Sequence, residues 1–323
     1  MGNMIRVTKP EGFGNIQLEE TPMPTISNSQ LRVKTDTTLI SRGSELFRRY
    51  IREEAVSPAI MGYSLTGTVD EIGAAVTAHH VGERVMVVAP HAQYAVAAPD
   101  DTDGRLVPLL DDVSFEEGTF LPLATSAVAW ADSSGVKAGD TVVVLGQGLV
   151  GSLMLQVMRG YHPARIITVD ALPFRCEMSL KLGADATVHA DTEEPVQAVH
   201  RLTDGKGADL VIDCVGGYAG VKSFAQAQEM TRRMGTIQLI ALYQQEPLPL
   251  DASKMMSKRL VAGILTEEPR SQIAARALRK IQNGEIRAAE MITHRFHYTE
   301  AKAAFDLLWN SPDDALGVLI KWQ

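Results

Sequence analysis

A chain of 323 residues is long for one hydrophobic core, so two domains are expected. With 45% hydrophobic and 22% charged residues the composition is that of an ordinary globular protein, and no apolar run reaches the length of a membrane span. The net charge of −8, without a dense basic run, argues against nucleic acid or a membrane as partner and leaves small polar molecules open. The two cysteines, Cys176 and Cys214, form no C-x-x-C pair, and the first residues carry no apolar leader. A reduced, cytoplasmic protein is the expectation.

Along the first part of the chain, short alternating segments predict β structure: Leu31–Thr35, Gly67–Ile72, Arg84–Val88 and Tyr94–Ala98. A helix over Glu45–Glu53, with Ser44 as its cap, interrupts them. Phe115–Ala131 reads as one helix, and 136–140 as a turn. Strand and helix then alternate. The strands are Val142–Leu145, Ile166–Val169, Thr187–His189, Leu210–Asp213, Thr236–Leu239 and Arg259–Gly263, with helices starting near Gly148, Pro173, Glu194, Gly220 and Met255. Such alternation predicts a parallel, doubly wound Rossmann sheet, an α/β fold. The tail reads helix Ser271–Asn283, strand Thr293–His297, helix Tyr298–Asn310 and strand Gly317–Trp322, and should rejoin the first domain. The expected divisions are 1–118, 119–268 and 269–323.

The most informative stretch is 141–170, TVVVLGQGLVGSLMLQVMRGYHPARIITVD. A β-branched run enters a turn in which Gly146, Gly148 and Gly151 are spaced G-x-G-x-x-G, an apolar-periodic helix follows, and Leu149 and Val150 within the motif are expected at the cofactor. The first glycine permits the turn, the second lets backbone approach a pyrophosphate, and the third lets helix and strand pack closely. The helix start offers unpaired N–H groups to the anion. Asp170, 19 residues after Gly151, stands where a carboxylate accepts from an adenosine ribose. It would repel a 2′-phosphate, and Ala171-Leu172-Pro173 supply no cation, so NAD is expected over NADP. Arg175, the nearest base, lies along the adenine or is simply a solvated helix-start residue.

With this layout the chain resembles the medium-chain dehydrogenase/reductase superfamily, in which a Rossmann domain interrupts a GroES-like, β-rich catalytic domain. The motifs GTVDEIGAAVTAHHVGERV (67–85), GVKAGDTVVVLGQGLVG (135–151), KLGADATV (181–188), GADLVIDCVGG (207–217) and ITHRFHYTEAKAAFDLL (292–308) carry the resemblance over essentially the whole chain. Where zinc members carry C-G-T-D-x-H, this chain has Arg42-Gly43-Ser44-Glu45-Leu46-Phe47; their G-H-E is Gly62-Tyr63-Ser64, and the third ligand position falls near Leu121. Arginine, tyrosine and leucine cannot make a zinc site of His, Cys and carboxylate, so no metal is expected. The alternative is rescue of a zinc site by His79, His80 or His91. Segments 39–46, 61–67 and 89–92 resemble a zinc-lacking branch that includes the bacteriochlorophyllide a dehydrogenase of pigment synthesis and enzymes of secondary metabolism.

The resemblance implies NAD-linked interconversion of a secondary alcohol and a ketone on a cyclic or polyhydroxylated substrate. Without zinc, side chains must take the hydroxyl proton and stabilise the developing alkoxide. Tyr63 or His91 would exchange the proton, Ser44 would relay it, Arg42 would stabilise negative charge, and Glu45 would buttress the site. Structural readings stand beside these: a cap for Ser44, an ion pair with Glu45 for Arg42, and packing for Tyr63 and His91. Thr125 falls at the family's threonine near the nicotinamide, or bonds its own helix. Cys214-Val215 ends a strand at the sheet edge where cofactors bind, with Cys214 read as a buried, inert thiol, and Ala241-Leu242 and Leu265 follow the next strands and would line the nicotinamide side. A homodimer through the sheet edge near 250–265 is implied. Two other functions remain open at this point, an NADPH-dependent quinone or enoyl reductase and a non-catalytic nucleotide-binding module.

Overall fold

The computed structural model describes residues 2–99, 103–242 and 246–323, and the chain forms two compact units. One comprises 1–125, 268–284 and 288–323; the other comprises 126–267 and 285–287. The first crossing therefore lies inside the helix Leu121–Ser134 rather than at residue 118.

The first unit is β-rich. Strands β1 (Asn3–Thr8) and β2 (Gln17–Pro22) form an antiparallel pair. Strand β3 (Leu31–Leu39) runs antiparallel to β4 (Leu65–Ile72), β4 to β5 (Arg84–Val87), and β5 to β7 (Leu106–Pro108), while β6 (Tyr94–Ala97) pairs with β3. The sequence reading missed β1, β2 and β7. In β2 nearly every side chain is exposed, so no apolar alternation marks it.

Phe115–Ala131 is two helices, not one. Ser114 caps Phe115–Gly118 through a reciprocal bond with Glu117, and a new helix starts at Leu121. Pro122 has no N–H and clashes with a preceding turn, which confines it to the first turn of a helix.

In the second unit the strands are β8 (Thr141–Leu145), β9 (Arg165–Asp170), β10 (Ala186–His189), β11 (Ala208–Asp213), β12 (Thr231–Leu239) and β13 (Arg259–Ala262). They form one parallel sheet ordered β10-β9-β8-β11-β12-β13. Val142, Val143 and Val144 are 0% exposed, because a central parallel strand is covered on both faces. The order reverses between β8 and β11, the switch point at which nucleotides bind in such sheets.

The tail returns to the first unit. Strand β14 (Ile292–His297) lies parallel to β15 (Gly317–Lys321), which runs antiparallel to β3. The helix Ala301–Asn310 buries Ala304, Phe305 and Leu308 against Leu46, Tyr50 and Met61. Among the described residues no helix is long and apolar enough to cross a membrane.

Candidate active site

The glycine turn meets the demands of a nucleotide cradle. Gly146 has φ +81°, and a Cβ there would come within 2.8 Å of Val215 Cγ2. At Gly151 a Cβ would fall 1.7 Å from the Gly146 carbonyl oxygen, so the helix Leu149–Arg159 sits directly on the turn. Gly148 is different: a Cβ there would meet nothing within 4 Å. The space it leaves open, at a helix start, is the space a pyrophosphate needs. Leu149 is buried and Val150 partly so.

Asp170, at the end of β9, reaches this turn. Its Oδ2 accepts the Gln147 N–H at 2.6 Å and its Oδ1 the Leu172 N–H at 2.9 Å. Each oxygen retains a lone pair for a ribose hydroxyl. Arg175 is buried, not solvated, with Nη1 4.0 Å from Asp170 Oδ2.

At the same carboxyl edge, Cys214 N–H donates to the Leu145 carbonyl at 2.9 Å and Ala241 N–H to the Asp213 carbonyl at 3.1 Å. Leu242 and Leu265 are exposed. Burial pushes the Cys214 thiol up, and the neighbouring Asp213 charge adds to this. Thr125 is 2% exposed and its hydroxyl donates to the Leu121 carbonyl at 2.7 Å, the helix-bound arrangement.

Asp213 is a residue the sequence reading passed over. It is 0% exposed, its Oδ1 accepts from Ser223 Oγ at 2.8 Å and from Val215 N–H at 3.1 Å, and its Oδ2 has no partner. Burial pushes its carboxyl up to about 6, against the opposing pull of those two hydrogen bonds. The strand end VIDCVGG was its only signal, and a strand-end acid is common.

In the β-rich unit, Arg42–Tyr50 forms a widened, π-type helix beginning three residues earlier than the sequence reading placed it. Ser44 lies within that helix and is not its cap; Ser41 precedes the first turn, with its N–H donated to Glu45 Oε1 at 2.9 Å. Glu45 Oε2 is 2.8 Å from His91 Nε2, and both side chains are sealed from solvent. Gly62, at φ +99°, makes room for the imidazole: a Cβ there would lie 2.8 Å from His91 Cγ and Cδ2. Phe305 meets the ring edge-on with centroids 6.0 Å apart. The pair is therefore held from three elements.

Arg42, Ser44 and Tyr63 remain partly exposed. The Arg42 guanidinium lies over the Phe47 ring, 5.4 Å from its centroid. The cation in electrostatic contact with Tyr63 includes one the sequence did not offer: Arg270, which also faces Asp103 and donates to the Pro122 carbonyl at 3.0 Å. Burial lowers its pKa, and the Asp103 and Tyr63 charges oppose that shift. No local pattern links positions 63 and 270.

At the three positions where the resemblance puts zinc ligands, the chain carries none of the usual donors. Arg42, Tyr63 and Leu121 offer no imidazole, thiolate or carboxylate, and Leu121 is 0% exposed. His79 is bonded to Glu83 at 2.6 Å and His91 to Glu45. Among the described residues no three His, Cys, Asp or Glu side chains gather as a metal group.

Residues 150–283 match the family described as zinc-binding dehydrogenase. The chain is 24% identical to an alcohol dehydrogenase of Cupriavidus necator, over 95% of this chain and 96% of that protein. It is also 24% identical to a sorbitol dehydrogenase of Halalkalibacterium halodurans, over 97% and 98% of the two chains. Alcohol dehydrogenase TADH from Thermus sp. ATN1 superposes with a TM-score of 0.85 at 21% identity, covering 99% of this chain and all of that one. The fold is that of this alcohol dehydrogenase, a β-rich domain and a Rossmann-type parallel-sheet domain.

Proposed function

We propose that this protein is an NAD(H)-dependent oxidoreductase that interconverts a secondary alcohol and a ketone without a metal ion, on a cyclic or polyhydroxylated small molecule. The observation that carries the reading is Asp170, held at the glycine turn by the Gln147 N–H and accompanied by a cation, Arg175, that already faces its carboxylate. A 2′-phosphate approaching this carboxylate meets negative charge, whereas ribose hydroxyls meet acceptors. The sequence relatives named alcohol and sorbitol dehydrogenase support the reaction class.

NAD, when bound, supplies the hydride acceptor. The chain's part is the proton. Tyr63 takes it from the substrate hydroxyl, and the charge of Arg270 favours the phenolate form that can do so. Ser44 relays the proton, and Arg42 stabilises charge on the substrate oxygen. Glu45 and His91, both 0% exposed, act as positioning residues for the helix Arg42–Tyr50 and the Tyr63 segment. The mismatch of Arg42, Tyr63 and Leu121 with a zinc donor set supports metal independence. We also infer a cytoplasmic homodimer in which the edge strand β13 is covered, since Leu260 on it and Ile264 and Leu265 just beyond its end are exposed.

The test is a fluorescence titration of metal-stripped protein with NADH and NADPH, followed by turnover on cyclic secondary alcohols. Tight NADH and weak NADPH binding is the expected result, with Tyr63→Phe losing about 10²-fold or more in turnover and none of its NADH affinity. Preference for NADPH would transfer the assignment to quinone or enoyl reduction, with Arg175 taking the 2′-phosphate. Binding of neither leaves a non-catalytic module.

A further inference from the structure

At the amino edge of the parallel sheet, opposite the glycine turn, lies a recess of about 550 Å³ that is broadly open to solvent. It opens where β11, β12 and β13 begin, and its lining includes His200, Lys206, Arg232, Arg233, Lys254 and Lys258 but no acidic residue. A chain with net charge −8 has no general excess of bases to scatter there. Two of the five cations are neutralised from outside the cavity, Arg232 by Asp209 and Lys254 by Glu229, each at 2.5 Å. Lys258 Nζ donates to the Gln228 carbonyl at 2.5 Å, and burial holds its pKa below the usual lysine value, with Lys254 pushing the same way and Glu229 opposing. Among the described residues Lys206 and Arg233 have no carboxylate partner, and both are exposed.

The backbone around this cavity is unusual as well. Met234 and Ser257 have φ of 64° and 63°, in the left-handed region that side chains avoid, and the Met234 N–H donates to the Ser257 carbonyl at 2.7 Å. Strained, mutually bonded backbone of this kind gathers at ligand clamps. Here it fixes the segment carrying Arg232 and Arg233 against the one carrying Lys254 and Lys258. Like charges held together in this way repel one another, and an anion between them relieves the repulsion.

We propose that this cavity is a second anion site, separate from the nucleotide cradle, which takes a small molecule bearing one or more phosphate groups between Lys206, Arg233 and Lys258. Its volume is within the range of pockets that hold such molecules. The same chemistry is presented by a phosphomonoester lipid headgroup, and the experiment separates the two sources.

Inorganic tripolyphosphate is titrated calorimetrically into the full chain and into Lys206→Glu/Arg233→Glu, with far-ultraviolet spectra and unfolding midpoints checking that the exposed double substitution leaves the fold intact. In parallel, both proteins are sedimented with phosphatidylcholine vesicles with and without phosphatidic acid. The expected result is tripolyphosphate binding that weakens with added salt and falls at least about tenfold in the variant. Sedimentation that requires phosphatidic acid, is lost in the variant and comes without tripolyphosphate binding supports the site with a lipid headgroup as its source. Equal tripolyphosphate affinity in the two folded proteins puts the anion elsewhere and overturns the proposal, as does binding of neither probe by the wild type.

Discussion

Replacing Glu45 with alanine removes an acceptor used by the Ser41 N–H at 2.9 Å and by His91 Nε2 at 2.8 Å, where neither carboxylate nor imidazole touches solvent. Hydrogen bonds to a charged group contribute about 1.5–3 kcal/mol, and a buried donor left bare costs about 1–3 kcal/mol. One-sided removal of a buried pair therefore costs about 3–5 kcal/mol. Glutamine separates charge from shape. Its amide oxygen can keep the Ser41 N–H, and its NH₂ can donate to Nε2 once the imidazole proton moves to Nδ1. His91 Nδ1 has no partner, so this tautomer change only turns a bare acceptor at Nδ1 into a bare donor at the same nitrogen. Glu45→Gln should cost only about 1–2 kcal/mol. Urea unfolding of both variants gives the two numbers, and long-range ¹⁵N spectra of the imidazole report the tautomer. An alanine variant within about 1 kcal/mol of wild type refutes the reasoning, as does a glutamine variant as damaged as alanine.

Asp213 should make stability depend on pH. Its folded carboxyl titrates at about 6 against an ordinary 3.8, so its contribution is fully present below pH 3.8 and is lost as pH rises through 6. The loss is on the order of 3 kcal/mol. Asp213→Asn should lack that slope, which urea midpoints at pH ~4 and ~7 would reveal; a variant that keeps the wild-type slope removes Asp213 as its source. The glycine turn yields a paired expectation. Gly151→Ala forces a Cβ against the Gly146 carbonyl and should lower stability by about 1–3 kcal/mol or more together with NADH affinity. Gly148→Ala enters open space, so its melting temperature should match wild type while NADH binding is lost. Retained NADH affinity in Gly148→Ala would show that the cofactor does not use this opening.

The Rossmann unit was legible because its signals are local. Apolar runs such as Val142–Leu145 are buried on both faces, and the spacing of Gly146, Gly148, Gly151 and Asp170 states a backbone requirement residue by residue. The sequence also states which side chains stand at 42, 63 and 121, where the resemblance puts zinc ligands, since donor chemistry belongs to the side chain itself. What it left out depends on distant residues meeting. The strand pair β1–β2 is stabilised by its partner rather than by its own pattern, and Pro122 divided a helix that apolar periodicity had joined. Glu45 and His91, 46 positions apart, become a sealed pair only because the Gly62 segment leaves room for the ring. Arg270 meets Tyr63, and Lys206, Arg233 and Lys258 converge on one cavity, although each looks like an isolated surface charge along the chain. Electrostatic energy depends on distance through space, so tertiary structure decided which charges are neighbours.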